Sequence, residues 1–155
     1  MSAYENGVYS FQDVSCSIVG PNINLIVTGE AEEGYETEYE GDKDSLTMGA
    51  GGDGMHSLRA AQNGTLTLHL LKTSSLNQAL CNAYNFQTGS AANHGRNVII
   101  IDDPVRGDTI TCQGAAFRRL PGNKFAEQGG IQDWVFNCTR ITPSLGAGVD
   151  TVLNG

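Results

Sequence analysis

The chain has 155 residues, a net charge of −8 and 20 glycines, with only 17% charged residues. That length fits one domain with one core, and no run of about 18 apolar residues provides a transmembrane helix. The opening residues lack the basic and apolar regions of a signal peptide, and nine scattered Lys and Arg cannot form the basic surface that holds nucleic acid.

In chain order, the first periodic runs are β-like. "DVSCSIVG" alternates Val14, Cys16 and Ile18 with polar neighbours, and "NINLIVTG" follows Pro21 as the second arm of a hairpin. The acidic stretch "EAEEGYETEYEGDKD", Glu30 to Asp44, carries eight carboxylates and one lysine, so it holds −7 of the total charge. Within it, "YETEYEGD" alternates strictly. Tyr35, Thr37 and Tyr39 fall on one face of a strand, and Glu36, Glu38 and Glu40 form a row on the other. Three carboxylates without partners resist burial, so the tyrosine face is expected to pack on the core.

The segment 49–64, "GAGGDGMHSLRAAQNG", has no period and is too long for an ordinary turn. It reads as a long loop or arm. "GTLTLHLL" then sends Leu66, Leu68 and Leu70 inward and Thr65, Thr67 and His69 outward. "SSLNQALCNAYNFQTG" predicts the one helix. Ser75 and Gln78 have capping-box spacing, Leu76, Ala79, Leu80, Ala83 and Tyr84 form its apolar stripe, and Gly89 lies past its end. Three further strands are expected in "NVIIID", "DTITCQGAAFRRL" and "DWVFNCTRI", joined by Pro- and Gly-containing turns. Residues 143–155 read as a patternless C-terminal tail. The order predicts a single mainly β domain over 1–155, a β-sandwich or rolled barrel with one flanking α-helix.

Catalytic and metal chemistry find no support. "DKDSLTMGAGGD" lacks the closing Glu of a calcium loop, and "GAGGDG" lacks the Lys-Ser/Thr of a phosphate loop. His56, His69 and His94 make no i, i+4 pair. Cys16, Cys81, Cys112 and Cys138 are too far apart for a zinc knuckle or redox pair, and three of them sit in strand-like runs as small core hydrophobes. No catalytic residue, metal or cofactor is expected.

The ordered series "NGTLTLHLLKTSSLNQAL" and "NVIIIDDPVRGDTITCQGAAFRRLPGNKFAEQGGIQDWVFNC" resembles the tail tube proteins of contractile-tailed bacteriophages. The likeness rests on Gly64 to Leu71, Thr73 to Leu80, Asp103-Pro104, Gly107-Asp108, Gly114 to Phe117, Gly129-Gly130 and Trp134 to Cys138, and spans roughly two-thirds of the chain. It implies a subunit that forms hexameric rings, whose hairpins join an inter-subunit β-barrel and stack helically into a hollow tube. The implied partners are further copies, a tail sheath protein, a tail terminator, baseplate and tape measure proteins, and DNA that passes without specific binding. The implied location is the virion tail, assembled in the host bacterial cytoplasm with no membrane anchor. On this reading Glu36, Glu38 and Glu40 face the lumen and repel phosphate. Met55, His56, Leu58 and Arg59 belong to an arm that reaches another subunit. A tailocin or type VI-like secretion tube shares the implied fold, and a β-sandwich module that binds carbohydrate or protein remains the alternative of a different class.

Overall fold

The computed structural model describes residues 14–28, 34–122, 125 and 128–146. The N-terminal segment, Glu30, Glu32 and Glu33, and the tail from residue 147 lie outside these. The elements are β1 (Ser15–Gly20), β2 (Ile23–Thr28), β3 (Gly34–Tyr39), β4 (Asp44–Met48), β5 (Gly54–Leu58), β6 (Gly64–Leu71), α1 (Leu76–Thr88), β7 (Asn97–Asp103), β8 (Asp108–Arg119) and β9 (Ile131–Ser144). Seven strands form one antiparallel sheet in the order β2-β1-β7-β8-β9-β6-β3, and β4 and β5 form a separate two-stranded ribbon. The expected mainly β fold with one helix is present.

The alternating runs do what their period demands. Cys16 and Ile18, Leu66, Leu68 and Leu70, and Trp134, Phe136 and Cys138 all enter one buried cluster. β1 and β2 join through the two residues Pro21 and Asn22. Asn22 takes φ 60°, a left-handed value that asparagine tolerates. The sheet is too long to stay flat and curls so that both of its ends contribute to the same core: Ile23 and Val27 come from β2, and Tyr35 packs in from β3.

A bulge corrects the phase of the longest strands. On β8 the inward residue is Cys112, then Ala115 and Phe117, a switch from even to odd positions. Gly114 sits at the switch with φ 60°, where a side chain would be strained and would meet Thr139. β9 makes the matching switch between Cys138 and Ile141. The small residues of "QGAAF" therefore serve a bend inside the subunit.

Helix α1 lies against the curled sheet. Leu80 and Ala83 are buried, and Tyr84 meets Phe117 edge-on at 5.6 Å. Asn77 Oδ1 accepts a hydrogen bond from Trp134 Nε1 at 2.9 Å. The expected capping box is not made. Ser75 already has helical angles and forms no side-chain cap, whereas Ser74 Oγ accepts from the Leu76 amide at 3.2 Å, so the cap lies one residue earlier. Gly89 ends the helix as expected, but at φ −74°, so it is not used for its left-handed freedom. At the same end, Gln87 and Asn97 exchange two amide hydrogen bonds of 2.8 and 2.7 Å. Gln87 also donates to the Pro21 carbonyl and Asn97 to the Ala115 carbonyl. This buried polar network ties the helix to β7, β8 and the β1–β2 turn.

Two boundaries differ from the sequence reading. The segment 49–64 holds strand β5, paired with a β4 that no apolar alternation announced. Residues 143 and 144, expected in the tail, continue β9 opposite Ile110 and Thr109.

Candidate assembly surfaces

The β4–β5 ribbon interrupts the hairpin that joins β3 to β6. Its root continues the sheet. The Glu40 amide donates to the Asn63 carbonyl at 3.0 Å, the Arg59 amide to the Lys43 carbonyl at 2.8 Å, and the Ile141 amide to the Gln62 carbonyl at 2.9 Å. Gly41, at φ 74°, turns the chain between the two halves. Beyond that root all ten strand residues are exposed.

The register divides the ribbon into two faces. Asp44 opposes Leu58, Leu46 opposes His56 and Met48 opposes Gly54, which places Leu46, Met48 and Leu58 on one face. Ser45, Thr47, Met55 and Ser57 occupy the other. Leu46, Met48 and Leu58 are 52%, 59% and 85% exposed, so among the described residues this apolar face is largely uncovered. A two-stranded ribbon is marginal in water by itself, and this one is braced at its exposed surface by a 2.8 Å contact between His56 Nδ1 and Asp44 Oδ2.

Of the four residues expected in an arm, His56 and Leu58 share the apolar face, and Met55 points to the opposite one. Arg59 serves the root, where its guanidinium donates to the Glu40 carbonyl at 3.4 Å. Leu46 and Met48 were missed. They precede the segment in question, and alternate with Ser45 and Thr47 over too few residues to stand out.

Glu36 and Glu38 of the acidic row lie on β3, an edge strand of the sheet, and Glu40 directly follows it. Glu36, Glu38 and Glu40 are all exposed, as the alternation requires. Tyr35 packs on the core, Thr37 is half-buried, and Tyr39 is 47% exposed. Tyr39 has the inward parity but lies past the end of the core, beside the ribbon root, so the expected three-residue packed face shrinks to its first part. Beside the row, His69 bridges two carboxylates. Its Nδ1 is 2.6 Å from Asp133 and its Nε2 is 3.6 Å from Glu36. A neighbouring cavity of about 250 Å³ at the ribbon root is lined by Tyr39, Lys43, Asn63, Ile141 and Pro143, among others. The side-chain oxygen of Asn63 is buried there without a hydrogen-bond partner.

Cys16, Cys112 and Cys138 are core residues, and Cys81 is half-buried against the core. Burial pushes Cys16 up to about 12. A hydrogen bond with Cys138, together with burial, holds the Cys112 thiol above its ordinary range as well. Among the described residues no group of His, Cys, Asp and Glu is arranged to hold a metal ion, and no helix is long and apolar enough to cross a membrane.

Among the described residues the sheet ends at the edge strands β2 and β3, and the ribbon that projects from it is apolar on one face. The sequence profile described as the bacteriophage PhiTE tail tube protein matches residues 6–146, and the chain belongs to that family. It is a structural tail tube protein of the virion tail. No curated protein matches it in sequence. Its fold is similar to chains in three solved assemblies. One is the baseplate of the anti-feeding prophage in its 6-fold symmetrised structure, at a TM-score of 0.62 and 14% identity, covering 92% of this chain and 98% of that one. The second is the sheath/tube terminator of the extracellular contractile injection system PVC in its extended state, at 0.58 and 14%, covering 92% and 99%. The third is the PVC sheath-tube complex, at 0.57 and 11%, covering 88% and 90%.

Proposed function

We propose that the chain is the repeating subunit of a hollow phage tail tube, in which six copies form a ring, rings stack helically, and DNA passes through the bore to the host. The observation that carries this reading is the β4–β5 ribbon, whose apolar face is exposed among the described residues and would gain burial against another copy. The ribbon is the arm that links subunits. The edge strands β2 and β3 pair with neighbouring copies and close a continuous barrel, which removes the edge-strand hazard.

Glu36, Glu38 and Glu40 face the lumen, where their repetition around a ring repels the phosphate backbone. The outer wall meets a sheath protein, and the tube ends meet terminator and baseplate proteins. The chain has no catalytic turnover. The likeness in fold to contractile injection systems goes with one second reading, a tube of a tailocin or type VI-like secretion system instead of an infectious phage. Electron microscopy of the purified protein tests the common part of both: long hollow tubes with six-fold end views are expected, and protein that remains monomeric at high concentration would reject it. Tubes isolated from particles separate the two readings by whether DNA travels with them.

A further inference from the structure

Pairing registers sort many of the exposed apolar side chains into two patches. One is the ribbon face of Leu46, Met48 and Leu58. The other lies on the outer surface of β2, β1 and β7. There Ile26 and Ile100 flank Ser17 on either side, and two residues further along β1 Val19 lies beside Val98. Ile26 is 66% and Val19 51% exposed, although both belong to strands whose alternate residues fill the core.

We infer that this second patch is the seat for the ribbon of another copy of the chain; the inference rests on the tube reading and specifies its subunit contact. Both surfaces are pleated, with side chains repeating at about 6.8 Å along each strand, so they can interdigitate as face-to-face sheets do at about 10 Å.

Charge selects the occupant. The strands β1 and β2 and the first five residues of β7 contain no Asp, Glu, Lys or Arg. The carboxylates Glu36 and Glu38 lie on β3, which the curl brings against β2 only through the inward-facing Tyr35. A second copy of a chain with net charge −8 therefore meets no like charge on the strip itself, and the one carboxylate on its ribbon face, Asp44, keeps His56 as its partner.

Area selects the arrangement. A patch of three or four side chains is a few hundred Å² at most, short of the roughly 800 Å² per partner of a standard interface. Ribbon against ribbon would bury one patch per copy and leave the other exposed. Ribbon against strip buries both patches of every copy, and such a head-to-tail contact closes into a ring or propagates as a helix.

The test is crosslinking of a chain that carries both Leu46→Cys and Ile100→Cys, treated with a short bismaleimide and run under denaturing conditions. The unmodified chain, with its own four cysteines, sets the background. The expected result is a ladder of covalent multimers from the double variant, lost in each single variant. Dimers from Leu46→Cys alone would overturn the seat, since they mean ribbon meets ribbon. An equal ladder from Leu46→Cys with Thr65→Cys, on the acidic side of the sheet, would also overturn it. Tubes without a ladder would overturn the seat and leave the tube reading standing. A ladder from closed rings that never stack would support the seat and reject the tube.

Discussion

The Tyr35 hydroxyl donates to the Val27 carbonyl at 2.6 Å, and the two residues stand on opposite edge strands of the seven-stranded sheet. Eight residues separate them in sequence, yet five strands lie between β2 and β3 in the sheet. This contact joins the two ends of the curl by a side chain where no ladder joins them. Tyr35→Phe keeps the ring packing and leaves the Val27 carbonyl without this donor. The expected cost is about 1 kcal/mol, or a fall in Tm of about 2–4 °C, read by thermal unfolding. An unchanged Tm would mean that the curl is held by core packing alone.

The Gln87–Asn97 pair predicts a larger effect. Asn97→Leu leaves Gln87 buried with its carbonyl oxygen unpaired and removes the bond to the Ala115 carbonyl. An unmet buried polar group costs about 1–3 kcal/mol, so a clear fall in the urea midpoint is expected. The same experiment on Asn93→Leu, outside this network, should move the midpoint little.

Excising residues 44–58 and closing the gap with a short turn should leave a folded β-protein that no longer assembles. The cut spares Arg59 to Asn63, whose backbone bonds belong to the root. Circular dichroism checks the fold, and sedimentation checks assembly. A variant that still sediments as tubes would remove the ribbon from the assembly mechanism.

Replacing Glu36, Glu38 and Glu40 together by Gln should leave assembly intact or improved, because like charges no longer repeat around the ring. Ejection should slow, or the tube should retain DNA. Normal ejection by the triple variant, or these side chains on the outer wall of a solved tube, would reject the lumenal assignment.

The buried Cys16 thiol sets a pH dependence. Its value in the fold is about 12, against an ordinary 9.0. The unfolded chain therefore ionises first. Stability from this group is full below pH 9 and is lost as the pH rises from 9 toward 12, at about 1.4 kcal/mol per pH unit at most. Cys16→Ala should unfold less steeply with alkali over that window, measured by urea midpoints at fixed pH. An identical slope would mean that the thiol does not contribute.

Local alternation and helical spacing by themselves determined most of the strands, the helix and the identity of the core. A period of two or 3.6 commits one set of side chains to burial whatever the neighbouring element is. That is why Leu66, Leu68 and Leu70, or Glu36 and Glu38, stand where their pattern placed them. The resemblance carried by Gly64 to Leu80 and Trp134 to Cys138 pointed to the right family for the same reason, since those runs build the core. Tertiary structure alone decided the rest. β4 and β5 are amphipathic over only five residues each, and their register exists only once they pair, so Leu46 and Met48 could not be joined to Leu58 in advance. Tyr39 shares the parity of Tyr35, but whether a strand residue is covered depends on where the core ends. The bulge at Gly114 and the meeting of Tyr35 with Val27 arise from curling a twisted sheet onto itself, a long-range constraint that no local period encodes.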